Sequence, residues 1–308
     1  MTPEQDDRLI KFLFRAGPVR GEIVRLGDSW RSMAERHGYP APVTRLLGEA
    51  TAAAALLATT IKFNGALILQ IHGDGPVRLL VVECQPDLAL RATVKLRNDA
   101  PIDPGARMRQ LVNSQGRGRC AITLDARDRR PGQPPYQGIV PLEGDSIAEA
   151  LEGYLRQSEQ LETRLWLAAN DRLAAGMLLQ KLPHHGGAAE TTPNDADLWD
   201  RTNALASTVT NAELLGVAPD ELARRLFGQE PTDRFAPLSP RFACTCSRER
   251  IGRMLIALGR EEADGILAEQ GRISVSCDFC NAEYLFDAVD THQLFATGST
   301  APASPSSH

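Results

Sequence analysis

Four of the chain's six cysteines sit in two tight pairs, Cys244-Thr245-Cys246 and Cys277-Asp278-Phe279-Cys280, with thirty residues between them. Four soft sulfur ligands so arranged match the number and type that a tetrahedral Zn2+ site takes. Such a site constrains the local fold, because the roughly 45-residue segment around it is near the size at which a metal is needed for stability. Its large apolar residues are few: Ile251, Met254, Leu255, Ile266, Leu267, Tyr284, Leu285 and Phe286. The expected cofactor is one Zn2+ per chain, held by Cys244, Cys246, Cys277 and Cys280. Thiolates are also what oxidants attack, and Arg248 and Arg250 beside the first pair would favour negative charge there. The one-residue spacer of the first pair brings both sulfurs to one ion and equally allows a small local disulfide ring. The cysteines alone leave two readings open, a redox-sensitive site and an inert structural metal, the second being the simpler. Cys84 and Cys120 each fall inside an apolar strand pattern and read as small buried hydrophobes.

The rest of the chain has to supply its own core. With 308 residues, 43% hydrophobic and 24% charged, it can do so across two or three domains. A formal net charge of -5 and the lack of a basic run disfavour a nucleic-acid partner. The N-terminal stretch MTPEQDDRLIKFLFRAG places acids ahead of a short apolar run, unlike a secretory signal. The apolar part of 41–61 is interrupted by Arg45 and Glu49, so no membrane span is expected. These features point to the cytoplasm, where clustered cysteines serve more often as ligands or redox devices than as permanent disulfides.

Leu9 to Phe14 and Val19 to Leu26 read as a hairpin around Gly17-Pro18. Pro42 opens an alanine-rich buried helix over 43–61. Runs dense in Val, Ile and Leu at 66–72, 77–84 and 90–96 predict an antiparallel meander, followed by strands at 119–124 and 137–142. Ser146 and Glu149 form a capping box ahead of Ile147, Ala150, Leu151, Tyr154 and Leu155, and two strands at 163–169 and 175–182 close the region. The fold class is therefore α+β, an N-terminal antiparallel-sheet domain with packed helices over 1–183. The composition break at 184–194 opens a helical linker region, 184–240, whose helices at 195–230 are too small to hold a core and must rest on the first domain. Pro231, Pro237 and Pro240 mark a tether into a small C-terminal zinc-binding domain at 241–290, and 291–308 reads as a flexible tail.

In combination, CTCSRER at 244–250 and CDFCNAEYLF at 277–286 resemble the zinc centre of the heat-shock protein 33 family, the redox-regulated holdases. Similar segments follow that family's order upstream: VRGEIVRL at 19–26, QIHGDGPVRLLVV from Gln70, YQGIVPLEGD at 136–145, SEQLETRL at 158–165 and GMLLQKLP at 176–183. Two departures lie away from the cysteines: Glu162 stands where a proline is expected, and the turn at 113–118 is unusually basic. The resemblance implies an ATP-independent, non-enzymatic chaperone of the stress response, inactive when reduced and zinc-bound. It implies activation when Cys244 pairs with Cys246 and Cys277 with Cys280, with zinc released and the 195–235 segment unfolded. Unfolding client proteins would then bind the exposed apolar surface, and the oxidised protein would dimerise.

Two alternatives belong to other classes. One is a thiol-disulfide oxidoreductase using Cys277 and Cys280, which lacks the expected thioredoxin-like strand and helix. The other is a zinc-knuckle binding module with a fixed metal. Gly73-Asp74-Gly75 and Gly116-Arg117-Gly118 read as turns, not phosphate loops. His184 and His185 read as solvated, His292 as a weak substitute ligand, and Glu22, Glu143 and Glu159 as surface residues.

Overall fold

The computed structural model describes residues 7–61, 63–97, 100–130, 132–183 and 196–298. The expectations for the 184–194 loop, for His184 and His185 and for the tail beyond 298 lie outside them. Contacts divide the chain into two units, Met1–Ala243 and Cys244–His308.

Alternation near the start of the first unit makes an antiparallel hairpin of β1 (Arg8–Phe14) and β2 (Val19–Leu26). Next come α1 (Asp28–Ala34), α2 (Ala41–Thr60), β3 (Gly65–His72), β4 (Val77–Cys84), β5 (Ala89–Leu96), α3 (Met108–Val112), β6 (Arg119–Ala126) and β7 (Tyr136–Pro141). The chain continues through α4 (Ile147–Gln157), β8 (Thr163–Ala169), β9 (Ala174–Lys181), α5 (Leu198–Ala206), α6 (Asn211–Gly216), α7 (Pro219–Phe227), β10 (Thr232–Arg234) and β11 (Arg241–Phe242). The strands form a five-stranded sheet, β10-β1-β2-β9-β8, and a six-stranded sheet, β11-β5-β4-β3-β6-β7. All pairings are antiparallel except β11 on β5.

Helix α2 lies against strands of both sheets and is buried along most of its length, with Ala50 and Ala52 to Ala55 all fully buried. Small side chains allow this close approach. A Cβ at Gly48 would fall 2.4 Å from that of Ala169, so the helix meets the sheet nearly backbone to backbone there. The five-stranded sheet is covered on its other face too. Ile10, Phe12, Phe14, Val19, Ile23, Met177 and Leu179 form a second core with Leu198, Leu214, Leu222 and Phe227 of α5 to α7. The rings of Phe12, Phe14 and Phe227 meet with centroids 5.3 to 5.7 Å apart.

Hydrogen bonds tie the proline-marked tether to both sheets. Leu9 and Leu238 exchange backbone bonds of 2.9 and 2.8 Å at the edge of one sheet. Arg241 N–H donates to Leu88 O and Ala243 N–H to Leu90 O, each at 3.0 Å, at the edge of the other.

Glu22 corrects a surface expectation, being fully buried. It shares a sheet face with Val24 and Leu26, which points it at the last turn of α2. There Lys11 Nζ lies 3.5 Å away and the Thr59 hydroxyl donates to it, while burial pushes its carboxyl above the usual range. That turn contains no basic residue, and its carbonyls are met from the sheet instead: Lys11 donates to Thr59 O at 2.7 Å and Arg20 to Thr60 O at 3.3 Å. Glu143 and Glu159 are exposed, the latter accepting from the Tyr136 and Tyr154 hydroxyls at 3.1 and 3.0 Å. Cys84 and Cys120 are buried, and burial pushes both thiols up to about 12.

The second unit comprises α8 (Arg248–Leu258), α9 (Arg260–Gln270), β12 (Ile273–Ser276), β13 (Glu283–Phe286) and α10 (Ala288–Gly298), with β12 and β13 antiparallel. Its buried core is Leu255, Ala263, Ile273 and Phe286, with Met254 and Leu285 exposed. The flexible tail expected from residue 291 is corrected in part, because α10 runs to Gly298. Leu294 and Phe295 pack on the small core, and the Asp287 carboxylate caps the helix, accepting from Asp290 N–H at 2.8 Å. Among the described residues, no helix is long and apolar enough to cross a membrane.

Candidate metal centre

Cys244 and Cys246 lie just before α8, whose N-cap Ser247 accepts from Arg250 N–H at 3.2 Å. Cys277 and Cys280 form the turn joining β12 to β13. That turn is closed by Asn281 N–H to Cys277 O at 2.8 Å and Cys277 N–H to Ala282 O at 2.9 Å. Asn281 adopts φ +54°, a left-handed conformation that asparagine tolerates better than most residues. Both backbone bonds hold the CxxC sulfurs on one side of the hairpin.

The four Sγ atoms all lie within 4.8 Å of one another. Short approaches run across the pairs, 3.3 Å from Cys246 to Cys280 and 3.6 Å from Cys244 to Cys277. A tetrahedral ion with Zn–S bonds of about 2.3 Å separates its sulfurs by about 3.8 Å, so the cage has the right size. Cys277 and Cys280 are 9% and 8% exposed. Burial, reinforced by the neighbouring sulfurs, pushes the Cys280 thiol up to about 12. Four converging sulfurs of this kind are compatible with zinc. His292 is exposed and is not part of this cluster.

The neighbouring side chains differ in part from the sequence expectation. Arg248 donates to Leu285 O at 2.7 Å, pairs with Asp290 at 2.7 Å and stacks 4.3 Å from the Phe286 ring centre. Arg250 reaches Thr245 Oγ1 at 3.2 Å. Arg248 therefore ties the start of α8 to the small core, and Arg250 ties α8 back to the loop between Cys244 and Cys246. Tyr284 reads in the sequence only as an apolar filler, yet its hydroxyl donates to Cys246 Sγ at 3.1 Å. Its alternation with Phe286 on β13 was the available signal, but nothing local showed which sulfur it would meet.

A sheet-and-helix unit followed by a small four-sulfur module defines an α+β protein with a candidate metal cage. The family model described as Hsp33 protein matches residues 7–287, and the chain belongs to that family. The 33 kDa chaperonin of Methylobacillus flagellatus is 48% identical over 98% of this chain and 99% of its own length. That of Nitrosococcus oceani is 45% identical, over 98% and 99%. In fold, the chain is similar to the crystal structure of the 33 kDa chaperonin from Thermotoga maritima, with a TM-score of 0.76, 21% identity and coverage of 96% and 99%.

Proposed function

We propose that this protein is a non-enzymatic, ATP-independent chaperone of the cytoplasm that holds unfolding proteins and is switched by oxidation of its four clustered cysteines. The observation that carries the reading is the sulfur cage closing a unit whose own buried core is four residues. Family membership and the chaperonin names of relatives support the activity. Bound at Cys244, Cys246, Cys277 and Cys280, Zn2+ would hold the sulfurs as thiolates and contribute on the order of 10 kcal/mol to folding the unit.

An oxidant such as a peroxide converts those ligands to disulfides. Each S–S bond takes two electrons from two thiolates and passes them to the O–O bond, which breaks to give hydroxide or water. The pairing within this reading is Cys244 with Cys246 and Cys277 with Cys280. Disulfide sulfurs no longer hold the ion, and the unit loses its closure. Phe242 is the last paired residue of β11 and precedes Cys244 by two positions, so loosening beyond Cys244 reaches the tether directly through the chain. Releasing α5 to α7 would uncover the Phe12, Phe14, Ile23 and Met177 face, an apolar surface suited to client binding and to dimerisation.

An oxidoreductase reading fits less well, because the Cys277–Cys280 pair sits in a β-hairpin turn and not at the start of a helix. Zinc release, free thiols and light scattering from a denaturing client, followed in one peroxide-treated sample under mild heating, test the proposal. The expected result is loss of one zinc per chain with onset of aggregation suppression. Oxidised, zinc-free protein that leaves aggregation unchanged would overturn it.

A further inference from the structure

Tyr284 reaches the cage from outside the four cysteines, its O–H donating to Cys246 Sγ at 3.1 Å. The hydroxyl is held from a strand, since Tyr284 pairs with Val275 in the β12–β13 register, and its ring packs on the small core. It thereby links the arm before α8 to the hairpin that contains the other cysteine pair. We propose that Tyr284 is a positioning residue that restrains the oxidation of Cys246. This inference rests on the reading of the four sulfurs as redox-active metal ligands.

The chemistry follows from the direction of the hydrogen bond. Attack by the Cys246 thiolate on a peroxide forms an S–O bond and breaks the O–O bond, giving a sulfenic acid and hydroxide. The Cys244 thiolate then displaces hydroxide from that sulfur to form the S–S bond. Both steps begin with an electron pair on sulfur. A donated O–H withdraws density from that pair and is strongest when the sulfur is anionic, so it favours the resting thiolate over the species in which the charge has left. The bond also ties the Cys246 side chain to the hairpin strand.

Tyr284→Phe deletes the donor and keeps the ring in the small core, and Tyr284→Ala deletes both. The rate at which each cysteine loses reactivity to an alkylating reagent is followed by peptide mass mapping during peroxide treatment of the zinc-loaded full chain. Tyr284→Phe is expected to oxidise Cys246 roughly three- to tenfold faster, tenfold corresponding to a barrier change of about 1.4 kcal/mol. Tyr284→Ala is expected to match it at Cys246. In Co2+-loaded protein the sulfur-to-metal charge-transfer band of Tyr284→Phe is expected to move to longer wavelength, because the sulfur lone pair is raised. A wild-type rate at Cys246 with an unmoved band would overturn the proposal. So would equal acceleration at all four cysteines, or acceleration by Tyr284→Ala alone, since those results mark loosened packing. Client holding does not enter these readouts, so a failed holdase reading leaves the result at Cys246 separately visible.

Discussion

At the scale of single residues, burial sorts the six cysteines into two chemical groups. Cys84 and Cys120 have thiols pushed up to about 12 by burial and lie outside the four-sulfur cluster, so they remain protonated at neutral pH. Alkylation of metal-stripped native protein is therefore expected to label Cys244, Cys246, Cys277 and Cys280 and to reach Cys84 and Cys120 only after unfolding. Mass mapping checks this, and labelling of Cys120 in the native state would contradict it. Glu49 on α2 offers a second test. Burial raises its carboxyl to about 7, with Arg45 opposing. Between the ordinary value near 4.5 and about 7, the folded state holds a proton that the unfolded state has released, so stability falls as pH rises through that window. Glu49→Gln is expected to flatten this slope and to be more stable than wild type at pH 8 by on the order of 2 kcal/mol, with little difference at pH 4. Urea unfolding at both pH values measures it, and a pH-independent difference would refute the assignment.

At the scale of elements, α5 to α7 depend on the sheet face beneath them. The Phe227 ring of α7 packs on Phe12 and Phe14 of the sheet, an aromatic contact between them. Phe227→Ala is expected to weaken docking by about 3 kcal/mol, within the range for removing a buried aromatic ring. Amide exchange should speed up across 198–227 and stay slow in β3, β4 and β6, and the reduced protein should gain partial client holding. Unchanged exchange in α5 to α7 would show that the helices are anchored elsewhere. Several of these elements were legible before the structure. Helix α4 begins as its capping residues indicate, with Ser146 accepting from Glu149 N–H at 3.2 Å. Helix α1 was not legible, because its N-terminal N–H groups are met by Asp7, twenty and twenty-two residues upstream, at 2.8 Å to both Gly27 and Ser29. Glu22 escaped for a similar reason: alternation assigns it to a face of β2, and only the packing of α2 shows that this face is closed.

At the scale of the whole molecule, the two units differ in what closes them. The first has two extensive apolar cores, and the second has four buried apolar residues beside a cage of sulfurs. Removing the metal with a strong chelator under reducing conditions is expected to unfold 244–298 and leave the sheets of the first unit standing. Far-UV circular dichroism should show a partial loss of helix, and amide exchange should place it in α8 to α10. A second unit that stays protected after complete metal loss would mean its small core suffices. The disulfides of peroxide-treated protein provide the matching test of connectivity. The close sulfur approaches run across the pairs, whereas the proposed bonds run within them. Peptide mapping is expected to recover Cys244–Cys246 and Cys277–Cys280, and a Cys246–Cys280 product would refute the local pairing.

Local chemistry in the chain determined the pieces of this protein: four sulfurs at metal-binding spacing, a capped α4, an alanine-rich α2 and strands whose alternation marks two faces. These depend on neighbours within a few residues, which the order of the chain records directly. Tertiary structure decided what each face and side chain meets. It buried Glu22 beneath α2, continued α10 beyond residue 291 by packing Leu294 and Phe295, and brought the Tyr284 hydroxyl to Cys246. The partners in those contacts are 37 to 42 residues apart or belong to different elements, so only the folded chain brings their chemistry together.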